Sequence, residues 1–275
     1  MSAIVHAEAS TRWRPAPVIL ASVGLHVLAL AALVLYPGAW AWALGAIAAN
    51  HLVLTAIGLW PRSRLLGPNF TRLPAAAAAR GEIALTFDDG PDPALTPHVL
   101  DLLEAHGVRA TFFCVAAQAA RQPELTREIV RRGHSVENHS NVHANTFAFL
   151  LLGGLRRDFA ASQSTLAALA GRAPRFFRPP MGFRNPLLDP VLHENGLKLV
   201  SWTRRGYDTR RGEAALVAAD LERGLAAGDI LMLHDGHAAL TAEGRPVVLE
   251  VLPQLLAAIR QKGLKPVTLH QAIDP

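Results

Sequence analysis

The chain has 275 residues, 51% of them hydrophobic and only 18% charged, more apolar than an average soluble domain. Its formal charge of +5 is modest and no nucleic-acid-binding motif accompanies it, so a solvated basic surface accounts for the excess, although the arginines would also suit anionic lipid or a phosphorylated substrate. The single cysteine, Cys114, excludes an intrachain disulfide and lies in an apolar run, Ala110 to Ala116, that predicts core rather than reactivity.

The apolar excess sits at the front. Pro17 to Tyr36 and Ala41 to Trp60 are each about twenty uncharged residues, long enough to cross a bilayer as helices. Pro37-Gly38-Ala39-Trp40 between them predicts a tight turn, and Trp40, Trp42 and Trp60 suit the interfaces. A cleaved signal peptide is a competing reading, but two segments and no small-residue cleavage site argue against it. Buried helices of a soluble protein are the other alternative, and His26, Asn50 and His51 speak for it. Arg12 and Arg14 precede the first segment, and Arg62, Arg64 and Arg72 follow the second, while the turn has no Lys or Arg. The positive-inside rule then predicts a multi-pass inner (cytoplasmic) membrane protein with the rest of the chain on the cytoplasmic face.

Residues 1–62 are thus expected to form an anchor, 63–80 a linker ending in the run Ala75 to Ala79, and 81–275 a second domain. From there strand and helix signals alternate. Strands are predicted at Ile83–Phe87, Ala110–Val115, His134–Glu137, Leu197–Trp202, Ile230–Leu233 and Lys265–Thr268, with Phe176-Phe177 leading into Arg178. Helices are predicted at Thr96–His106, Pro123–Arg132, Arg156–Ala170, Pro190–Asn195, Ala214–Ala226 and Val247–Lys262. Such alternation implies an α/β fold with a parallel sheet.

The chemistry concentrates in two places. Ile83 to Phe87 ends in two adjacent carboxylates, Asp88 and Asp89, followed by Gly90-Pro91. Burying two like charges side by side is costly, so a cation or a division of labour is expected there. Adjacent residues of an extended chain point oppositely, so a bend before Gly90 is needed to aim both inward. About fifty residues on, His139-Ser140-Asn141-Val142-His143 places histidines at i and i+4, which on a helix would share a face and hold one metal. An Asp-rich capping turn and a chance histidine pair are the separate bland readings; together the residues point to metal-assisted hydrolysis.

Five motifs in order then resemble the polysaccharide deacetylase family, built on the NodB homology domain and also known as carbohydrate esterase family 4. They are Thr86 to Gly90, His139 to His143, Arg178-Pro179-Pro180-Met181-Gly182, Trp202 with Asp208, and Ile230 to His234. The resemblance runs from Gly81 to the C-terminus and implies a distorted (β/α) barrel of about seven parallel strands, with chemistry at the C-terminal strand ends. It implies that Asp88 is the general base and that Asp89, His139 and His143 hold one divalent metal, Zn2+ first and Co2+ or Ni2+ as alternatives. It further implies that His234 is the general acid, held protonated by Asp208, that Arg178 orients Asp88, and that Met181 N–H and Trp202 meet the substrate and its oxyanion. Met181 stands where most relatives have Tyr, and Thr209 where they commonly have Trp, which puts the usual polymer groove in doubt.

The expected function is a metal-dependent hydrolase removing acetyl or formyl from an amino sugar on a polyprenyl lipid or other envelope glycan. Alternatives are an envelope deacetylase acting on peptidoglycan or exported polysaccharide on the outer side, a non-sugar amide hydrolase, and an inactive carbohydrate-binding barrel. The apolar run Thr146 to Gly154 is expected either to dock on the bilayer or to start a buried helix.

Overall fold

The computed structural model describes residues 12–273, so the outermost ends of the expected anchor and second domain lie outside the described residues. Two helices open it, α1 (Pro17–Leu35) and α2 (Trp40–Gly58), joined by a 3-10 turn at Pro37–Ala39. Both are long and apolar enough to cross a membrane. Their outer faces carry Leu28, Val34, Leu35, Trp42 and Leu52 at 70–85% exposure, unlike helices of a soluble core. Their polar residues are turned on one another: Asn50 Nδ2 donates to Ser22 Oγ at 2.8 Å, and the His26 and His51 rings meet edge to face.

Residues 63–80 are packed onto the second domain. Ser63, Leu66, Asn69, Leu73 and Ala77 are buried, and Ala75–Ala79 forms a short helix, α3. Phe70 N–H donates to Leu199 O while Ser201 N–H donates to Phe70 O, so this segment lies along a strand edge. Alanine's high helix propensity and Pro74 at the N-cap explain α3, which composition alone presents as low-complexity linker.

The alternation then runs β1 (Glu82–Asp88), α4 (Thr96–Ala105), β2 (Thr111–Cys114), α5 (Ala116–Arg121), α6 (Pro123–Arg131), β3 (Ser135–Asn138), α7 (Leu152–Ala170), β4 (Phe176–Phe177), α8 (Leu188–Glu194), β5 (Lys198–Leu199), β6 (Arg204–Arg205), α9 (Ala214–Glu222), β7 (Ile230–His234), α10 (Val248–Gln261), β8 (Lys265–Pro266) and α11 (Leu269–Ile273). All pairings are parallel, in the order β5-β4-β3-β2-β1-β7-β6, with β8 beside the start of β1. Seven strands therefore curl into an incomplete barrel, the distorted (β/α) barrel expected. The strand expected over Leu197–Trp202 is shorter, because after Leu199 the chain crosses the open side of the barrel and its Phe70 partner offers one bridge only, at Val200.

Side-chain parity fixes what faces the barrel mouth. Ile83, Leu85 and Phe87 pack outward against the helices with Phe112, Leu231 and Leu233, whereas Ala84, Phe113, Phe176 and Ile230 form the barrel interior. Asp88 shares the inward parity of Ala84, and His234 that of Ile230. Asp88 is paired in register with His234, so both reach the C-terminal rim together. Cys114 is buried, and burial together with the Asp235, Glu137 and Asp88 charges pushes its thiol pKa up, which leaves it inert.

Candidate active site

The rim carries a cavity of about 320 Å³, lined among others by Asp88, Asp89, His139, His143, Met181 and His234. Asp88 is the last residue of β1 and is 3% exposed. Arg178 Nη1 donates to its Oδ1 at 2.6 Å. The fully buried guanidinium also donates to Thr86 Oγ1, Val200 O and Ser201 O, and lies 4.2 Å from the Phe113 ring centroid. The guanidinium is thereby anchored at all three of its nitrogens, so Asp88 is held in one orientation.

Asp89 lies just beyond the strand at φ 73°. This left-handed residue is the bend that brings both carboxylates inward, and Gly236 allows it, because a Cβ there would lie 2.7 Å from Asp89 O. Asp89 Oδ1 then sits 3.2 Å from His139 Nε2 and 3.1 Å from His143 Nε2.

The histidines converge differently from the sequence expectation. Residues 139–143 form a loop, not a helix, and Ser140 (φ 69°) and His143 (φ 52°) both adopt left-handed conformations. The loop is tied from inside: Ser140 N–H donates to Asn138 Oδ1, His143 N–H to Ser140 Oγ, and Asn141 N–H to the Asp158 carboxylate on α7. Local side-chain bonds of this kind outcompete helix, as expected for Asn and Ser. Asp158 escapes sequence reading because it acts from an element seventeen residues away.

The donor set fits a divalent metal. His139 Nδ1 is 2.7 Å from the Arg178 carbonyl, which only accepts, so Nδ1 carries a proton and a neutral ring turns the Nε2 lone pair on Asp89. Two imidazole nitrogens and a carboxylate oxygen lie within 4.8 Å of one another and could together hold a metal ion. For Asp89, burial opposes ionisation, yet His139 and the neighbouring imidazoles hold its carboxyl well below the usual range. For His139, burial opposes the charge, but Asp88 and Asp89 raise its pKa. His143 is lowered by burial and by His139.

His234 closes the far side. Its Nδ1 donates to Asp208 Oδ1 at 2.8 Å and its backbone N–H to Asp208 Oδ2 at 2.8 Å. Burial disfavours its charged form, but Asp208, then Asp88 and Asp89, outweigh this and push its pKa up to about 9. Met181 adopts φ 56° in the turn Pro180–Gly182, whose bonds come from Gly182 and Phe183 N–H and leave the Met181 N–H unused. Trp202 is 7% exposed and walls the cavity, with Gly182 admitting it because a Cβ would lie 2.7 Å from its ring. All nine sequence-predicted residues are thus gathered at one rim. Sequence reading missed Arg205, Arg210 and His237, which also line the cavity. His237 has Nδ1 3.7 Å from Asp89 Oδ2, and its position three residues past His234 is the signal that could have found it.

Comparison with known proteins gives the same lineage. Residues 76–200 match the family model described as polysaccharide deacetylase. The chain is 33% identical over 197 residues to a chitooligosaccharide deacetylase of Sinorhizobium fredii, covering 70% of this chain and 91% of that one. It is 31% identical over 193 residues to a peptidoglycan-N-acetylglucosamine deacetylase of Bacillus cereus, covering 69% of this chain and 67% of that one. A family 4 carbohydrate esterase from Streptomyces lividans, solved in complex with acetate, superposes with a TM-score of 0.61 at 31% identity over 68% of this chain and 91% of that one. With this barrel, this rim and these relatives, the chain belongs to the polysaccharide deacetylase family.

Proposed function

We propose that the protein is a membrane-anchored, metal-dependent hydrolase that removes an N-acetyl group from an amino sugar of a lipid-linked or envelope glycan. The observation that carries this reading is the convergence of Asp89, His139 and His143 beside an Arg178-bound Asp88 and an Asp208-bound His234. Relatives named for chitooligosaccharide and N-acetylglucosamine deacetylation support the substrate class.

Asp89, His139 and His143 would hold the metal, with Zn2+ the ion best suited to two imidazoles and a carboxylate. Bound there, it supplies Lewis acidity to the amide carbonyl and to water. Asp88, with Oδ1 fixed by Arg178, uses its other oxygen to take a proton from the attacking water. The Met181 N–H binds the developing oxyanion, and Trp202 forms a wall for the acetyl group. Protonated His234 gives its Nε2 proton to the departing amine, and the products are acetate and the free amino sugar. Asp208 keeps that imidazolium formed and oriented.

This assignment has a pH signature. The acid must be protonated, so activity falls as pH rises through the His234 pKa of about 9, and a bound cation would lower that value. Asp208→Asn removes the main raising influence, so the alkaline limb of the kcat/KM profile is expected to move to lower pH, checked by acetate release at several pH values. An unmoved limb would contradict the acid assignment.

Placement on the cytoplasmic face is supported by the arginines flanking the helices and by their absence from the turn. The Thr146–Gly154 run divides its residues. Phe147 is buried with Phe159 and Phe177, whereas Phe149 and Leu151 are 79% and 73% exposed. Asn185 Nδ2 binds Ala148 O and Leu150 O, and its neighbour Arg184 donates its N–H to Gly58 O at the end of α2. These bonds tie the segment to residues next to the end of α2, which supports a bilayer contact by the exposed pair. Phe149→Ser with Leu151→Ser is expected to lower activity on lipid-linked substrate about tenfold while affecting a short soluble one less; equal losses would sink the bilayer contact. A second reading, an outer-side enzyme acting on peptidoglycan, is favoured by the Bacillus cereus relative. Reporter fusions at the C-terminus of the full chain decide the side, and acetate release from lipid-linked, peptidoglycan and chitooligosaccharide substrates tests the activity itself.

A further inference from the structure

The catalytic cavity continues toward the anchor. Trp202 and Arg205 line both it and an adjoining groove of about 520 Å³, whose other wall begins with Trp60, Pro61 and Arg62, just beyond the end of α2. Ser201 Oγ donates to Pro61 O, so this wall is fixed to the barrel. A substrate seated at Asp88 and extending along the groove emerges where the hairpin begins.

The cavity, lined by Arg205 and Arg210, and the groove, lined by Arg62 and again by Arg205, together have more cations than the chain neutralises. Arg204 and Arg72 pair with Asp229, and Arg211 and Arg223 pair with Asp220. The carboxylates lining the cavity are also committed, Asp88 to Arg178 and Asp89 to His139 and His143, as is Asp208 behind them to His234. Arg62, Arg205 and Arg210 then have no carboxylate partner among the described residues. Arg205 is the most constrained of the three. It stands on β6 with the inward parity opposite to Arg204, and its guanidinium lies 5.5 Å from the Trp202 ring and 5.0 Å from the Tyr207 ring. Its Nε is buried without an acceptor. A buried donor on a cation without an anion is costly, and stacking on two rings holds it in place rather than satisfying it. A neutral acetamido sugar brings no counter-charge. One carboxylate would occupy a single guanidinium fork, whereas a phosphate presents acceptors to several at once.

We propose that Arg205, with Arg210 and Arg62, forms an anion subsite for a phosphate ester joined to the amino sugar being deacetylated, on the anchor side of the cavity. The inference deepens the reading of the cavity as an amide-hydrolysing site and rests on it. The substrate class is an N-acetylated amino-sugar phosphate, free or esterified to a lipid. The neutral sugar polymers named for the relatives are poorer substrates in consequence.

The test uses the full-length protein in detergent with three substrates: the neutral octyl glycoside of N-acetylglucosamine, N-acetylglucosamine 1-phosphate, and a prenyl phosphate-linked N-acetylglucosamine. Acetate release is expected to favour the 1-phosphate over the neutral glycoside by about tenfold or more in kcat/KM. Arg205→Gln is expected to bring that ratio toward one, mainly through KM for the phosphorylated substrate, and Arg205→Lys to restore part of it. A further preference for the prenyl-linked substrate assigns the phosphate to a lipid carrier, and parity assigns it to a free sugar phosphate. Release from neutral and phosphorylated substrates at equal kcat/KM overturns the subsite and leaves the hydrolase reading standing. If no substrate releases acetate, calorimetric titration with N-acetylglucosamine 1-phosphate decides: binding that Arg205→Gln abolishes upholds the subsite while the hydrolase reading falls, and no binding overturns both.

Discussion

Asp88→Asn is expected to lower kcat for N-deacetylation by about 10²–10⁴-fold, the range for removing a positioned general base, while metal stoichiometry stays at that of the unaltered protein. The amide still accepts from Arg178 Nη1 at Oδ1 but takes no proton from water. The substitution has a second, separable effect. Arg178 is fully buried, and Asp88 is the one carboxylate that it meets among the described residues, at 2.6 Å. Its remaining acceptors, Thr86 Oγ1 and the Val200 and Ser201 carbonyls, carry no formal charge. Leaving one member of a buried pair unpaired costs about 3–5 kcal/mol, so the variant should melt measurably lower than the parent. Arg178→Met with Asp88→Asn removes the orphaned charge and should recover much of that stability without recovering activity. Retained turnover in Asp88→Asn would move the base role to another group, and unchanged stability would mean that water reaches Arg178.

His139→Ala is the second large effect. It removes one of the three converging donors and also the Nδ1–H that binds the Arg178 carbonyl at 2.7 Å. Loss of an outer-shell partner alone typically weakens metal binding by 10–100-fold, so loss of the ligand should weaken Zn2+ binding by at least about 100-fold, read by calorimetry on metal-stripped protein. His143→Ala should weaken it as well, since His143 Nε2 lies 3.1 Å from the same Asp89 oxygen. His237, 71% exposed and 3.7 Å from Asp89 Oδ2, is in place to compensate partially. Zn2+ affinity unchanged by His139→Ala would mean that the three groups do not form the binding site.

Much of this site was legible because strand parity is a local property. Ile83 to Phe87 alternate between helix layer and barrel interior, and the same count carries Asp88 inward; Ile230 to His234 repeats the pattern. Apolar runs ending in a chemically useful residue therefore announce the C-terminal rim of a parallel barrel. The motif order supplied the roles that parity cannot. What stayed hidden depends on side-chain bonds and on partners that periodicity does not report. The spacing of His139 and His143 fits a helix, but Asn138, Ser140 and Asp158 hold the segment as a loop with two left-handed residues. Residues 63–80 lack a periodic signal, yet Phe70 completes the edge left by β5 and Leu73 joins the barrel interior. The two-residue strand Arg204–Arg205 is too short and too charged to register as a strand, and it exists because β7 offers its backbone edge. Its inward arginine is for the same reason one of the cavity residues that sequence reading missed.

Acetate release is the decisive test of whether this rim performs metal-dependent amide hydrolysis on an amino sugar. Full-length protein in detergent would be stripped of metal, divided, and one half restored with Zn2+, with Asp88→Asn treated identically. N-acetylglucosamine substrates, lipid-linked and soluble, would be offered to each. Acetate is expected from the restored protein, with little from the stripped protein and little from restored Asp88→Asn. Equal release from stripped and restored protein, or no release from restored protein that holds one metal per chain, would contradict metal-dependent hydrolysis at this rim.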